Sequence, residues 1–128
     1  PFHSDWVVEC DASQKQAAEA VQLLLSHNPT IDASVCFNGP PAVGAWFGLT
    51  RAGRQAGSGL DRYFGQQGSL AAFADAWEQG QYDIPVTWAT FSGKEMGYLL
   101  AERILQRVEE PERTLHHLVL SPGLVVNA

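Results

Sequence analysis

Two polar side chains stand where strand-like segments end, and both are of a type that recognises a hydroxylated small molecule. Asn38 follows the apolar run 33–37, and its amide donates and accepts hydrogen bonds at once. Asp61 follows Gly59-Leu60, and a carboxylate accepts hydrogen bonds from vicinal sugar hydroxyls or a cationic ligand. Each has a structural alternative: Asn38 as a turn or helix cap, and Asp61 as the partner of Arg62 in a surface salt bridge. The residues alone leave these alternatives open.

The residue types that usually carry catalysis or metal binding form no recognisable motif. His116 and His117 are adjacent, so on a strand they point to opposite faces and cannot chelate one ion together. No serine lies in a Gly-x-Ser-x-Gly pattern. Gly57-Ser58-Gly59 lacks the third glycine and the following helix of a dinucleotide-binding loop. We therefore expect a protein that is not an enzyme and needs no metal or cofactor.

Composition and charge predict one globular domain, or one lobe of a larger one. The 128 residues are 45% apolar and 17% charged, as in ordinary folded domains. The formal charge is −6 and the basic residues do not cluster, so we expect no nucleic-acid-binding surface within this chain. The apolar runs are too short for a membrane span and no secretion signal opens the chain. We expect a cytoplasmic protein.

Periodicity predicts strands that alternate with helices. Strands are predicted over 6–10, 33–37, 85–90, 115–120 and 124–126, and the run 57–61 as strand or loop. Helices are predicted from Asp11 or Ser13 to about His27, from the prolines after Gly39 to 51–53, over 70–77, and over 96–108. The run 33–37 is almost wholly apolar, which is typical of a strand buried on both faces.

This alternation predicts an α/β fold with a mostly parallel sheet between two helical layers. Ligands of such sheets bind at the carboxyl ends of the strands. In this sequence Asp11, Asn38, Asp61 and the pair Thr90-Phe91 stand there. They are the first candidates for a binding site.

The second predicted helix carries a wide apolar face. Val43, Trp46, Phe47 and Thr50 lie on it, and other aromatic residues such as Tyr63 follow in the chain. Aromatic residues are enriched in subunit interfaces, so part of this face could lie in one. For any single residue, burial in the core is the stronger expectation.

The order of these segments resembles the LacI/GalR family of bacterial transcription regulators. The carrying motifs are Thr30 to Asn38, Ala42-Val43-Gly44-Ala45, Ala52-Gly53, Gly59-Leu60-Asp61, Pro85-Val86-Thr87-Trp88, Glu95-Met96-Gly97 and Leu118 to Val126. In the family a strand ends in Asn before an Ala-x-Gly-Ala helix, and a later strand ends in Gly-aromatic-Asp. The stretches 45–49 and 61–64 are most similar to the branch that represses maltose genes.

The resemblance implies the C-terminal portion, residues 1–128, of a periplasmic-binding-protein-like effector and dimerisation domain. Residues 86–110 would be a crossover strand and helix that complete a first lobe absent from this chain. By position, Asn38, Asp61, Asp11 and Phe91 would bind a small effector, expected to be a sugar or sugar derivative. Residues 65–82 would be an insertion, because the span from Asp61 to Pro85 is about twice the usual one.

The resemblance also implies partners and a mechanism. The protein would be a homodimer with Val43, Trp46, Phe47 and Tyr63 at the interface. Operator DNA would be bound only through a helix-turn-helix domain absent from this chain, and the effector would control that binding allosterically. The alternative is a lobe of a periplasmic-type sugar-binding transport protein, which shares the fold.

Overall fold

The central element of the fold is a mostly parallel β-sheet. The computed structural model describes residues 3–56 and 66–126, and within them the strands are β1 (Ala33–Cys36), β2 (Arg54–Ala56), β3 (Gln66–Asp75), β4 (Thr87–Phe91) and β5 (Gly123–Val126). The order across the sheet is β1-β3-β4-β5, and β2 pairs with the beginning of β3. All pairs are parallel except β4 with β5. This confirms the predicted α/β class with a mostly parallel sheet flanked by helices.

The helices begin where local capping signals stand. They are a short 3₁₀ turn (Ser4–Trp6), α1 (Gln14–His27), α2 (Gly39–Arg51), α3 (Ala76–Gln79) and α4 (Gly93–Glu109). Ser13 and Ser92 precede α1 and α4, and their hydroxyls accept from the backbone N–H of Gln16 and Glu95. Two prolines occupy the first turn of α2, where their missing N–H has no cost. The predicted helices at 13–27, after Gly39 and at 96–108 are therefore confirmed.

One face of the sheet forms the core with α2. Alternate residues of the central strands are buried: Leu70, Ala72 and Ala74 on β3, and Val86, Trp88 and Thr90 along β4 and just before it. All of these except Thr90 belong to one cluster with Ala42, Ala45 and Leu49 of α2 and with Leu25 of α1. The period of two follows from the pleat of a strand. The opposite set of side chains therefore faces away from α2.

Helix α1 reaches this core by packing closely on α2. A Cβ atom placed on Gly44 would lie 2.1 Å from the carbonyl oxygen of Gln14, and one on Gly48 would lie 2.7 Å from that of Ala18. Both distances are far below van der Waals contact. The two helices thus touch backbone to backbone at the glycines of α2.

Helix α4 contributes no buried residue although it is 17 residues long. Its exposed side chains include Tyr98, Leu100, Ile104, Leu105 and Val108. No helix in the described part of the chain combines the length and the apolar character that crossing a membrane requires. The apolar residues of α4 are therefore a surface of this domain.

Three predicted elements were wrong. The predicted helix 70–77 is instead most of strand β3, which lies between β1 and β4, followed by the short α3. The predicted strand 6–10 begins as a 3₁₀ turn and continues without ladder pairing, and 115–120 has no strand either. A strand requires a hydrogen-bonding neighbour, and no described residue provides one for these two segments.

The placement of β3 also overturns the expectation that residues 65–82 are an insertion. Residues 66–75 form the strand between β1 and β4, with Cys36 paired to Ala72 and Asp75 paired to Phe91. The strand that should carry an aspartate at its end is therefore β3, and that aspartate is Asp75. Asp61 lies outside the described residues.

Candidate functional site

The candidate site lies at the carboxyl edge of the parallel strands. Asn38 follows β1, Asp75 ends β3 and Phe91 ends β4. Because these strands run in the same direction and in register, their last residues meet at one edge of the sheet. Such edges are where open α/β sheets bind ligands. The fold thus places Asn38 and Phe91 at the same edge, as predicted, and adds Asp75.

The side chain of Asn38 has an acceptor that the described residues leave unpaired. Asn38 is the N-cap residue of α2, but its side chain makes no capping hydrogen bond; its backbone carbonyl accepts from the N–H of Ala42 at 3.3 Å. Its Oδ1 is buried and has no hydrogen-bond partner within residues 3–56 and 66–126. An unpaired buried acceptor costs about 1–3 kcal/mol. The side chain therefore does not cap α2, and its oxygen is left without a partner among these residues.

Asp75 is the carboxylate that sequence reasoning missed. Its Oδ1 accepts from the N–H of Trp77 at 3.1 Å, which caps α3, and its Oδ2 accepts from the N–H of Gly93 at 2.8 Å. The two bonds join the end of β3 to the starts of α3 and α4. A carboxylate has about four acceptor sites, so it can still accept from a ligand hydroxyl. The sequence signal is an apolar run, 70–74, that ends in aspartate.

An aromatic layer supports the start of α2 behind Asn38. The Tyr82 ring stacks on Trp88 with centroids 5.6 Å apart, and its hydroxyl donates to Oε1 of Glu78 at 3.1 Å. Burial, and then the hydrogen bond to Glu78, raise the pKa of Tyr82. A Cβ atom on Gly39 would lie 2.5 Å from the Tyr82 ring. The absence of a side chain at Gly39 thus lets α2 begin directly against this layer.

Asp11 shapes the turn into α1. Its Oδ1 accepts from the N–H of Ser13 at 2.9 Å, while its own N–H donates to Oε1 of Gln16 at 3.1 Å. Hydrogen bonding by Ser13 lowers the pKa of Asp11. Between them, Ala12 has a φ of 62°, a left-handed conformation that is uncommon for alanine. Asp11 is exposed, and its carboxylate serves this turn.

Phe91 lines a groove that does not include Asn38. It lines a cavity of about 680 Å³ together with Glu95, Met96 and Leu99 of α4 and with the segment 118–123, and Asn38 is not part of this lining. In the described parts of the chain, no three His, Cys, Asp or Glu side chains are grouped to hold a metal ion.

The residues predicted for a dimer interface divide into two groups. Val43 and Trp46 are partly buried and pack against the core. Phe47 is exposed, and its ring centroid lies 4.9 Å from that of Trp46 at an angle of 49°. Tyr63, like Asp61, lies outside the described residues. Their role in an interface stays a prediction.

Comparison with known proteins assigns the fold. A family of sequences described as "Periplasmic binding proteins and sugar binding domain of LacI family" matches residues 1–122. The chain belongs to this family. The LacI-type chain is also 56% identical over 126 residues to the maltose regulon regulatory protein MalI of Escherichia coli K12. That match covers 98% of the chain and 37% of MalI. No solved structure matches.

Proposed function

We propose that this LacI-type chain is the effector-sensing and dimerisation part of a bacterial transcriptional repressor of sugar genes, with maltose genes the first candidates. The 56% identity is to a protein named as a regulator of the maltose regulon, which favours a regulator over a transport protein. Because the chain spans only 37% of that relative, operator binding is assigned to a helix-turn-helix domain that this chain does not include.

The observation that carries the proposal is the buried, unpaired Oδ1 of Asn38 at the carboxyl edge of the sheet. A sugar hydroxyl that donates to this oxygen removes the cost of leaving it unpaired. Asp75 would accept from a second hydroxyl at the same edge. Asp61, Asp11 and Phe91 are proposed to border the effector, in line with the family resemblance.

The exposure of helix α4 supports the proposal that residues 1–128 are the C-terminal portion of a two-lobed effector domain. The helix has no buried residue and several exposed apolar ones, as expected if this helix crosses to a first lobe outside this chain. The strand half of the predicted crossover 86–110 is instead β4 of this sheet, with Val86 and Trp88 in its core. The effector would then favour one arrangement of the two lobes. A coupling of about 1–3 kcal/mol changes operator affinity roughly 5- to 150-fold. The proposed contact that transmits this change to a second protomer is the face that carries Val43, Trp46, Phe47 and Tyr63.

Effector titrations of the full-length gene product test the proposal. We expect one class among maltose, glucose, sugar phosphates and nucleobases to bind in isothermal titration calorimetry and to change operator affinity in fluorescence anisotropy. Asn38→Ala should weaken effector binding about tenfold, the value of one hydrogen bond to a buried acceptor. Asn28→Ala is the matched control, because Asn28 ends α1 before β1 begins. Equal effector affinity of the Asn38→Ala and wild-type proteins would refute the assignment of Asn38.

A further inference from the structure

The start of helix α2 lies at the candidate site and has few of the donors with which helices bind anions. Backbone N–H groups that are free in the first turn, together with the helix dipole, make such a start a common phosphate site. In α2 the second and third residues are Pro40 and Pro41, and proline has no N–H. The N–H of Ala42 donates to the carbonyl oxygen of Asn38 at 3.3 Å. Among these first four residues, at most Gly39 has an N–H left for a ligand.

A carboxylate already stands against this helix start. Oε1 of Glu78 lies 2.8 Å from the position that a Cβ atom on Gly39 would take. The hydroxyl of Tyr82 donates to the same oxygen at 3.1 Å and so holds it in place. Glu78 therefore supplies the negative charge that the N-terminus of a helix attracts. A phosphate group at the same place would lie beside a like charge, which is strongly unfavourable in a binding site.

Two further polar groups at this edge are acceptors. Oδ1 of Asn38 is buried and unpaired among the described residues. The carboxylate of Asp75 accepts from the N–H of Gly93, the first residue of α4, so this helix start also faces a carboxylate. An unpaired acceptor needs a ligand that donates, as a sugar hydroxyl does. A phosphate group instead brings more acceptor oxygens and more negative charge.

The lysines close to this edge are not organised for anion binding. Lys15 and Lys94 stand in the first turns of α1 and α4, and both are exposed. Neither forms an ion pair within residues 3–56 and 66–126. An exposed lysine gains little from pairing with an anion, because water screens its charge and its side chain loses freedom. The charges that hydrogen bonds fix at this edge are the carboxylates of Asp75 and Glu78.

We propose that the effector is a neutral, unphosphorylated sugar, and that Pro40, Pro41 and Glu78 make the start of α2 reject sugar phosphates. The acceptors of Asn38 and Asp75 bind hydroxyl groups of this sugar. The missing N–H groups and the Glu78 carboxylate raise the free energy of any phosphate group at the same place. The inference rests on the proposed function, because it names the chemical class of the same effector.

Matched pairs of sugars test the inference on the full-length gene product. Isothermal titration calorimetry measures the Kd of glucose and glucose 6-phosphate, and of maltose and maltose 6′-phosphate. In a pair that binds, we expect the phosphorylated member to bind at least about tenfold more weakly. A phosphorylated sugar that binds as tightly as its neutral counterpart, or more tightly, would overturn the inference and leave the proposed role as a sugar-responsive regulator intact.

Two substitutions combined in one variant show whether α2 is the source of the selectivity. Pro40→Ala restores a backbone N–H, and Glu78→Gln removes the charge but keeps an acceptor for Tyr82. In the double variant we expect the ratio of the two Kd values to fall by about tenfold. Glu109→Gln is the matched control, because it removes an exposed carboxylate from the last residue of α4 and should keep the wild-type ratio. An unchanged ratio in the double variant would contradict the inference.

Inorganic phosphate gives a readout that does not depend on any sugar. If none of the four sugars binds, the proposed sugar effector fails, and a titration with inorganic phosphate still decides the inference. We expect the Pro40→Ala/Glu78→Gln protein to bind inorganic phosphate at least about tenfold more tightly than the wild-type and Glu109→Gln proteins. Equal phosphate affinity of the three proteins would mean that these residues do not exclude anions, and the inference would be wrong.

Discussion

The close contact between α1 and α2 at Gly44 predicts that a Gly→Ala substitution in a helix lowers the stability of the protein. Gly→Ala inside a helix normally stabilises by about 0.8–1.0 kcal/mol. At Gly44 the new Cβ would stand 2.1 Å from the Gln14 carbonyl oxygen and 2.9 Å from the Ala17 Cβ. Since non-bonded heavy atoms prefer about 3.5–4.0 Å, α1 must retreat from α2 by more than about 1 Å.

The expected change in the free energy of unfolding is the sum of two opposing contributions. Overpacking a close contact costs about 1–3 kcal/mol, and a backbone oxygen that cannot rotate away places Gly44→Ala at the upper end. After subtraction of the helix-propensity gain, we expect a net loss of about 2 kcal/mol in the free energy of unfolding. Gly97 on α4 has nothing within 4 Å of a new Cβ, so Gly97→Ala should stabilise by the full propensity value.

The comparison of these two variants is the sharper test. Both remove a glycine from a helix, so the helix propensity and the entropy of the unfolded chain largely cancel between them. Urea titration and thermal melting followed by circular dichroism should separate them by about 3 kcal/mol, or roughly 6–12 °C in Tm. The close helix contact would be refuted if Gly44→Ala were as stable as Gly97→Ala.

Two further predictions concern the buried Arg54 of β2 and the partly buried Cys36 of β1. Arg54 is 7% exposed and donates to the carbonyl oxygens of Pro29 and Ile31. We therefore expect Arg54→Met to lower the free energy of unfolding, measured by urea denaturation, by about 2–4 kcal/mol. A loss no larger than that of the exposed control Arg51→Met would contradict this prediction. Burial, and then the charge of Cys10, raise the pKa of the Cys36 thiol to about 11 from 9.0. The unfolded chain therefore loses this proton first, and the stability that Cys36 contributes declines as pH rises from 9 to 11. Urea titrations at pH 8, 9 and 10 should show a smaller decline for Cys36→Ala than for Cys10→Ala, and equal declines would rule the effect out.

Elements encoded by local signals could be predicted from the sequence. The three-and-four spacing of apolar residues in α1 and its Ser13 cap need no distant neighbour. The apolar run of β1 and the prolines at the start of α2 are local signals in the same sense. For this reason the position of Asn38 at the carboxyl edge of the sheet was predicted correctly.

Strand β3 could not be predicted in this way. Its segment Leu70-Ala71-Ala72-Phe73-Ala74 is rich in helix-forming alanine and leucine, but pairing with β1 on one side and β4 on the other makes it a strand. Tertiary context overrides a local preference of this size. The candidate site was affected directly, because the misassigned segment hid Asp75 at a strand end.

The antiparallel pairing of β4 and β5 has a consequence for the modular character of the chain. Thr90 and Gly123 are paired across these two strands, so the chain departs from the sheet and returns to it at the same point. Helix α4 lies between them, and none of its 17 residues is buried in the core. A tight hairpin turn could join β4 directly to β5. Topologically, residues 92–122 are a detachable excursion from the end of β4. A minimal domain that lacks them would keep every residue that the described structure buries.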